Sequence, residues 1–310
     1  MNEEAELFEP SIEFPDPVAQ ERYAKLVGLD ATKAILHKEA KLLLAPQLLR
    51  DWSRRHHGVE LAALRHFAGR PPLFLFAGDV GTGKTELAET FGDPIARETE
   101  LPVRLRKLSL SARGSGRVGE MTQLLAAAFA EVEQEARRMV RRDVRTGAVI
   151  MIIDEADALA QSRELRQMHH EDRAGVNALI RGINRIAEGS LPVLTVACSN
   201  RMEALDPAVR RRAARTFRFD RPDGVQRAAV LAAALDGLGL SPEQLHRLAE
   251  ATGPRDGRSY GATYSDLSQR LVPAAVLDAF PDRPLDFCRV LEMASELVPT
   301  APFGEGSGDG

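Results

Sequence analysis

The sequence predicts an α/β protein in which a parallel sheet is followed by a small all-helical domain. Residues 148–153 are apolar without a break, which is typical of a strand buried on both faces of a parallel sheet. A second apolar run, Leu73–Phe76, leads through a glycine-rich loop into a helix. After Pro222 the chain becomes rich in alanine and leucine at helical spacing. These three patterns predict a sheet covered by helices and then a separate helical region.

The elements before the first strand are predicted to be helical. Apolar residues at helical spacing run from Tyr23 until Pro46 interrupts them, and a second amphipathic stretch covers residues 47–70. Gly69 and Pro71 then end the helical pattern.

Further strands and helices alternate along the chain. Apolar runs or alternations predict strands at 103–110, 191–197 and 216–219, and a long helix after Gly119 and another around 176–186 separate them. The last helices are predicted at 224–237, 241–252, 261–279 and 284–297. Ser241-Pro242 is a strong helix start, since it combines an N-cap hydroxyl with proline at the first helical position.

These patterns divide the chain into four segments. We predict an acidic N-terminal arm at residues 1–22, a large α/β domain at 23–221, a helical lid domain at 222–300 and a disordered tail at 301–310. The arm is interrupted by prolines, and the tail is rich in glycine.

The composition limits the classes of function. The chain has 310 residues, 44% hydrophobic and 28% charged residues and a formal net charge of -4, which argues against a general polyanion-binding surface. The two cysteines make no disulfide framework, and the acidic N-terminus lacks a secretory signal. No apolar run is long enough to cross a bilayer. We therefore predict a cytoplasmic protein with no membrane contact and without nucleic acid as its main partner.

The glycine-rich loop predicts a phosphate-binding site. It follows the pattern G-x-x-x-x-G-K-[ST] and reads Gly78, Asp79, Val80, Gly81, Thr82, Gly83, Lys84 and Thr85. Glycines let the backbone N–H groups fold around an anion, and the dipole of the following helix favours negative charge. Lys84 can then reach the β and γ phosphates, and the Thr85 hydroxyl can bind Mg²⁺.

Polar residues at two other strand ends suit hydrolysis of the bound nucleotide. Asp154 follows the apolar strand and can hold Mg²⁺, while Glu155 beside it can polarise the attacking water. Asn200 follows the next strand and can orient that water through its amide. Taken alone, the acidic pair also fits a solvated strand end, and Asn200 fits a turn residue.

From about Tyr23 to Leu271 the chain resembles an AAA+ ATPase. In that family the loop at 78–85 is the Walker A motif, Asp154-Glu155 the Walker B pair and Asn200 the first sensor. The resemblance implies a P-loop (RecA-like) core that binds ATP and Mg²⁺. It adds Gly28, within the segment that packs on adenine, and Glu86 to the nucleotide-binding residues.

A cluster of arginines resembles the segment that supplies arginine fingers to a neighbouring subunit. It follows Leu205-Asp206-Pro207, and the candidates are Arg211, Arg212 and Arg215. Taken alone, the cluster also fits a solvated basic helix. A finger acting in trans implies an oligomer, which in this family is a hexameric ring.

Two segments depart from the family pattern. The candidate pore loop reads Arg113, Gly114, Ser115, Gly116, Arg117 and Val118, without the aromatic residue that ring translocases present to their pore. No arginine occupies the usual position of the second sensor, which leaves Arg270, or Arg258 upstream, as candidates.

Within the family, the chain resembles the pachytene-checkpoint type that remodels HORMA-domain proteins. The similarity lies in 118–121 and in Gly175–Ile180, and compact bacterial relatives of this type serve in cyclic-oligonucleotide anti-phage systems. The leading hypothesis is therefore an ATP-driven remodeller of a protein partner. The alternatives are a nucleic-acid-linked loader or initiator, suggested by the basic loop at 113–117, and a nucleotide-gated scaffold with little turnover.

Overall fold

The computed structural model describes residues 7–109, 120–159, 171–201, 203 and 205–302. The chain divides into two compact units, each of which is described by itself. The sheet unit comprises Met1–Ala24, Ala31–Ala77 and Thr85–Arg218, and the helical unit comprises Lys25–Asp30, Gly78–Lys84 and Phe219–Gly310. Residues 25–30 and 78–84 thus group with the C-terminal third of the chain, an association that sequence order does not show.

Eight strands occur among the described residues. They are β1 (Ile12–Phe14), β2 (Leu73–Gly78), β3 (Val103–Ser109), β4 (Val140–Arg141), β5 (Val144–Arg145), β6 (Ala148–Asp154), β7 (Val193–Ser199) and β8 (Arg215–Phe219). Strands β4 and β5 form a short antiparallel ribbon, and the others form one sheet in the order β1-β3-β6-β7-β2-β8.

The centre of this sheet is parallel. Strand β6 pairs in parallel with β3 and with β7, and β7 pairs in parallel with β2. In this register Ile153 lies opposite Ala197, and Ala77 lies opposite Ser199. The carboxyl ends of β6, β7 and β2 therefore meet at one edge, which is where ligands bind in open parallel sheets.

The helices of the sheet unit surround this sheet. They are α1 (Pro17–Lys25), α2 (Asp30–Leu44), α3 (Gln47–His57), α4 (Leu64–Ala68), α5 (Lys84–Thr90), α6 (Gly92–Thr99), α7 (Glu120–Arg138), α8 (Glu171–Glu188) and α9 (Pro207–Arg212), with a 3-10 turn at Ala156–Leu159. Helices α7 and α8 approach closely, because a Cβ atom on Gly182 would lie 2.3 Å from Cγ of Phe129. Strand β6 is buried along residues 148–153, which explains its continuous apolar sequence.

The helical unit has its own apolar core. Its helices are α10 (Gly224–Ala234), α11 (Pro242–Ala251), α12 (Val272–Ala279) and α13 (Phe287–Glu296), and a π-helical turn at Asp266–Leu271 leads into α12. Leu231, Leu248 and Leu267 are fully buried in this core. Capping boxes start α10 and α11, since the side chain of Asp223 or Ser241 accepts from the backbone of the third helical residue.

The predicted fold class is confirmed: the sheet is mostly parallel and the C-terminal region is helical. One difference concerns the segment interpreted as an N-terminal arm, in which residues 12–14 pair with β3 as an antiparallel edge strand. A second concerns the helix predicted at 261–279, which begins at Tyr264 and passes through a π turn at Asp266–Leu271. Among the described residues, no helix is both long enough and apolar enough to span a bilayer.

Candidate functional site

The glycine-rich loop of the helical unit requires two of its glycines. Gly81 and Gly83 have φ angles of +74° and +89°, in the left-handed region that favours glycine. A Cβ atom on Gly81 would also lie 2.7 Å from Oγ1 of Thr263. The N–H of Ser265 donates to the Gly81 carbonyl at 3.1 Å. The spacing of the glycines is therefore set by backbone conformation and by close approach of the 263–265 segment.

The side chain of Lys84 is hydrogen-bonded to the backbone of its own loop. The Nζ atom of Lys84 donates to the carbonyl oxygen of Asp79 at 2.6 Å, and the Thr82 hydroxyl donates to the same oxygen at 2.7 Å. The Lys84 side chain is buried. Residues 79–84 thus form a closed turn that places an ammonium group beside backbone N–H groups, an arrangement suited to an anion.

Gly28 belongs to the same helical unit. Its φ angle is +81°, and Nε2 of Gln226 donates to its carbonyl oxygen at 2.7 Å. A Cβ atom there would lie 3.0 Å from the hydroxyl of Tyr264. Burial, together with the charges of Asp223 and Asp30, raises the pKa of Tyr264 to about 12. Gln226 and Tyr264 were not predicted from the sequence, because nothing in their local pattern points to residue 28.

In the sheet unit, Asp154 stands at the end of β6. Its Oδ1 atom lies 3.5 Å from the Thr85 hydroxyl and accepts the Glu155 N–H at 3.0 Å. Burial raises the pKa of Asp154 above its usual value, although the Glu155 N–H and the Lys107 ammonium oppose the rise. The structure therefore brings together the two residues predicted to bind Mg²⁺.

Glu155 has an unusual environment. Its φ angle is +53°, which few residues other than glycine adopt and which often marks a functional position. Its Oε2 atom is buried and accepts no hydrogen bond from the described residues. A buried acceptor without a partner is costly, so this oxygen is suited to a water or ligand hydrogen.

Asn200 directly follows β7, beside the end of β6. Its N–H donates to Oδ1 of the buried Asp157 at 3.3 Å. The main chain at the predicted first sensor is thus fixed to the segment that follows Asp154.

A network of ion pairs surrounds this strand edge and was missed in the sequence analysis. Arg22 on α1 donates to Glu86 and to Glu89, each at 2.7 Å. The Lys107 ammonium lies 2.8 Å from Glu89 and 3.9 Å from Oδ2 of Asp154. Burial alone would raise the pKa of Glu89, but hydrogen bonds from Arg22 and Lys107 lower it. Glu86, predicted to bind nucleotide, is paired with Arg22.

The three finger candidates differ in their surroundings. Arg211 is exposed and donates to the Pro207 carbonyl of its own helix at 3.2 Å, and Arg212 donates to the Ala208 carbonyl at 3.4 Å. Arg215, in contrast, lies 2.8 Å from Glu39 and stacks over a phenylalanine ring. Among the described residues neither Arg211 nor Arg212 makes an ion pair, so both can be presented to a neighbouring molecule without breaking one there.

The candidates for the second sensor serve the helical unit itself. Arg270 pairs with Asp266 at 2.6 Å, and Arg258 donates to the Tyr260 carbonyl at 3.0 Å. Arg221, which was not predicted, instead contacts Asp79 of the glycine-rich loop. The pore-loop candidates at 113–118 lie outside the described residues.

Comparison with known proteins places the whole chain in a family. The sequence model of the ATPase family associated with various cellular activities (AAA) matches residues 74–221. The CD-NTase-associated protein 6 of Escherichia coli strain MS 115-1 is 50% identical over 299 residues, which is 96% of each chain. The chain belongs to the AAA ATPase family. It is accordingly a nucleotide-binding protein and an ATPase.

Solved structures of related proteins share this AAA ATPase fold. A chain in the E. coli MS115-1 HORMA:CdnC:Trip13 complex is 49% identical with a TM-score of 0.87, covering 96% of this chain and 97% of that one. Rhizobiales Trip13 is 44% identical with a TM-score of 0.75, covering 95% and 100%. The AAA ATPase described here is thus similar to Trip13 proteins over nearly its full length.

Proposed function

We propose that this AAA ATPase forms a ring that uses ATP hydrolysis to remodel a HORMA-domain protein in bacterial anti-phage signalling. The observation that carries the proposal is its 49% identity, over 96% of the chain, to a chain solved in a HORMA:CdnC:Trip13 complex. The name CD-NTase-associated protein 6, borne by a relative of equal length, supports the same setting. We place the protein in the cytoplasm.

In this proposal the loop at 78–84 holds the ATP phosphates. Its backbone N–H groups and the buried Lys84 supply the positive field that an anion requires. Gly28, against which Gln226 and Tyr264 lie, belongs to the segment that receives the adenine. Gly81 and Gly83 adopt φ angles that other residues rarely reach, so substitution of either would strain the loop.

The residues present also fit Mg²⁺. Thr85 and Asp154 offer a hydroxyl and a carboxylate oxygen, the hard ligands that this ion prefers. The described residues contain no cluster of three His, Cys, Asp or Glu side chains that would form an all-protein cage. Mg²⁺ commonly takes one or two protein ligands and completes its shell with phosphates and water. When bound, it neutralises charge on the phosphates.

Glu155 acts as the base that polarises the attacking water in this mechanism. Its buried Oε2 atom accepts no hydrogen bond from the described residues and is therefore open to a hydrogen bond from the water. Asn200 orients the same water through its amide. An arginine from the neighbouring subunit, Arg211 or Arg212 with Arg215 as a third candidate, neutralises the charge that develops during hydrolysis.

Coupling to the partner protein completes the proposal. A finger supplied in trans requires a neighbouring subunit to complete each site, and we propose six subunits because the resemblance to AAA+ ATPases implies a hexameric ring. Residues 113–118 would contact the substrate polypeptide in the central pore.

The test is a substrate trap. Tagged Glu155→Gln protein is expressed in the source cell and purified with ATP, and the proteins that co-purify are identified by mass spectrometry. Lys84→Ala protein, which should not hold the phosphates, is the matched control. Capture of a HORMA-domain protein by the first variant and not by the second would support the remodeller. Replication proteins or nuclease-sensitive nucleic acid in the first eluate would instead support a loader or initiator.

A further inference from the structure

Arg221 joins three parts of the helical unit. Its guanidinium donates through Nε to Oδ2 of Asp79 at 2.8 Å and through Nη2 to the same oxygen. Its Nη1 atom donates to the carbonyl of Gly261 at 2.8 Å, and the Tyr260 ring lies 4.8 Å away. Only 14% of the Arg221 side chain and 16% of the Asp79 side chain are exposed. Charges this sheltered from water interact more strongly than surface charges.

Asp79 introduces a difficulty for a phosphate-binding loop. Its Oδ1 atom accepts the N–H of Val80 at 2.8 Å, so the carboxylate is fixed on the loop itself. A fixed negative charge at this position opposes the binding of ATP, whose phosphates are also negative. The paired guanidinium of Arg221 removes most of that opposing field.

We propose that Arg221 is a positioning residue for nucleotide binding, which neutralises Asp79 and ties the phosphate-binding loop to the segment that begins at Gly261. The inference rests on the proposed role of the loop at 78–84.

The hydrogen bond from Arg221 to the Gly261 carbonyl has a structural consequence. Thr263 and Ser265 of the 261–266 segment already touch Gly81, so Arg221 fixes this segment to the loop at another point. The loop and the 261–266 segment therefore move as one body when nucleotide enters or leaves.

Charge compensation can be separated from a merely structural role by a pair of variants. In Arg221→Gln the Asp79 charge stays uncompensated, and we expect the Kd for ATP to rise about tenfold, which is ~1.4 kcal/mol. Adding Asp79→Asn removes that charge while its amide oxygen can still accept the Val80 N–H. We expect the double variant to recover the Kd to within about threefold of the wild-type value. Isothermal titration calorimetry with ATP measures both.

The matched control is Arg289→Gln, which removes an arginine on α13 that pairs with Asp278 in the same unit. Its Kd for ATP should equal that of the wild type. A double variant that binds ATP as weakly as Arg221→Gln would overturn charge compensation. If Arg221 acted only by holding the structure together, removing the Asp79 charge as well would not restore binding.

Two further variants keep the test decisive. If Arg221→Gln gives no folded protein, Asp79→Asn takes its place, because it removes the carboxylate charge and leaves Arg221 free to donate to Gly261, and a tenfold loss of ATP affinity in it would overturn charge compensation. Lys84→Ala tests the proposed phosphate site separately from the role of Arg221. Unaltered ATP binding in that variant would refute the site at 78–84, and with it the role of Arg221 in nucleotide binding.

Discussion

The hydroxyl oxygen of Thr85 lies 3.5 Å from Oδ1 of Asp154, although 69 residues separate them along the chain. This juxtaposition places a hydroxyl from the start of α5 next to a carboxylate from the end of β6. Both oxygens suit the same small, hard cation, and the pair supports the proposed Mg²⁺ site.

Replacing Thr85 by valine should raise the Mg²⁺ concentration required for half-maximal ATPase activity by about tenfold or more, because one protein oxygen ligand is lost at nearly constant volume. Titration of activity with MgCl₂ at fixed ATP measures the change. Thr99→Val is the matched control, since among the described residues the Thr99 hydroxyl donates to the Ile95 carbonyl of its own helix at 2.7 Å. Equal Mg²⁺ requirements in the two variants would contradict the role of Thr85.

Replacing Glu155 by glutamine should lower kcat by about 10²–10⁴, the usual contribution of general acid–base catalysis, while ATP binding is kept. The substitution preserves the shape of the side chain but removes the acceptor charge at Oε2. Steady-state ATPase assays and ATP calorimetry together separate turnover from binding. Normal turnover in the variant would remove Glu155 from the catalytic role.

Alanine variants of Arg211 and Arg212 should fold normally, and the one that serves as the finger should lose about 10³–10⁵ in ATPase rate. Activity should reappear when that variant is mixed with Lys84→Ala protein, because each inactive subunit then supplies what its neighbour lacks. Failure of every mixture to recover activity would argue against action in trans.

Arg215→Ala should behave differently from the other two arginine variants. It breaks a partly exposed ion pair with Glu39, worth about 0.2–1 kcal/mol, and should lower the Tm slightly. A thermal melt beside the ATPase assay distinguishes a stability loss from a catalytic loss. A rate loss rescued by mixing, with an unchanged Tm, would make Arg215 the finger instead.

Asp266→Asn should destabilise the protein by about 1.5–3 kcal/mol at neutral pH, as expected when hydrogen bonds to a buried charged group are weakened, while the Arg270 partner is half exposed. The carboxylate is fully buried and accepts from Arg270, from the Thr263 N–H and from both the N–H and hydroxyl of Thr300. Urea unfolding compared with the wild type measures the loss.

The pH dependence of that loss follows from the pKa of Asp266. Burial alone would raise the pKa, but the hydrogen bonds from Thr263, Thr300 and Arg270 bring it below the ordinary value of 3.8. A carboxyl with a lowered folded-state pKa stabilises the protein above its unfolded-state pKa and loses that contribution as the pH falls through the folded-state value. The stability difference between wild type and Asp266→Asn should therefore be complete above about pH 4 and shrink below it. A difference that stays constant down to pH 3 would contradict this assignment.

Local patterns in the sequence were enough to predict the sheet class and the places of the glycine-rich loop and the Asp154-Glu155 pair at strand ends. Each of these features is encoded in a short segment, in which a continuous apolar run is followed at once by the polar residues that it positions. Asn200 could be predicted for the same reason, since it directly follows the buried strand β7.

Contacts between distant segments could not be predicted in this way. Arg221 pairs with Asp79 across 142 positions, and Arg22 pairs with Glu86 across 64. Each of these arginines looks like an ordinary charged residue in its own segment. The three residues of β1 were missed because so short a strand has no readable alternation, and its place is set by pairing with β3.

Strand β1 also has a consequence for solubility. It pairs with residues 103–105 at the start of β3, whose N–H and C=O groups on that side would otherwise be open to pairing with another chain. Because the covering strand has three residues, the new border that it leaves is short. A chain shortened to begin after Phe14 would lose this cover, and its bare β3 would become a template for self-association.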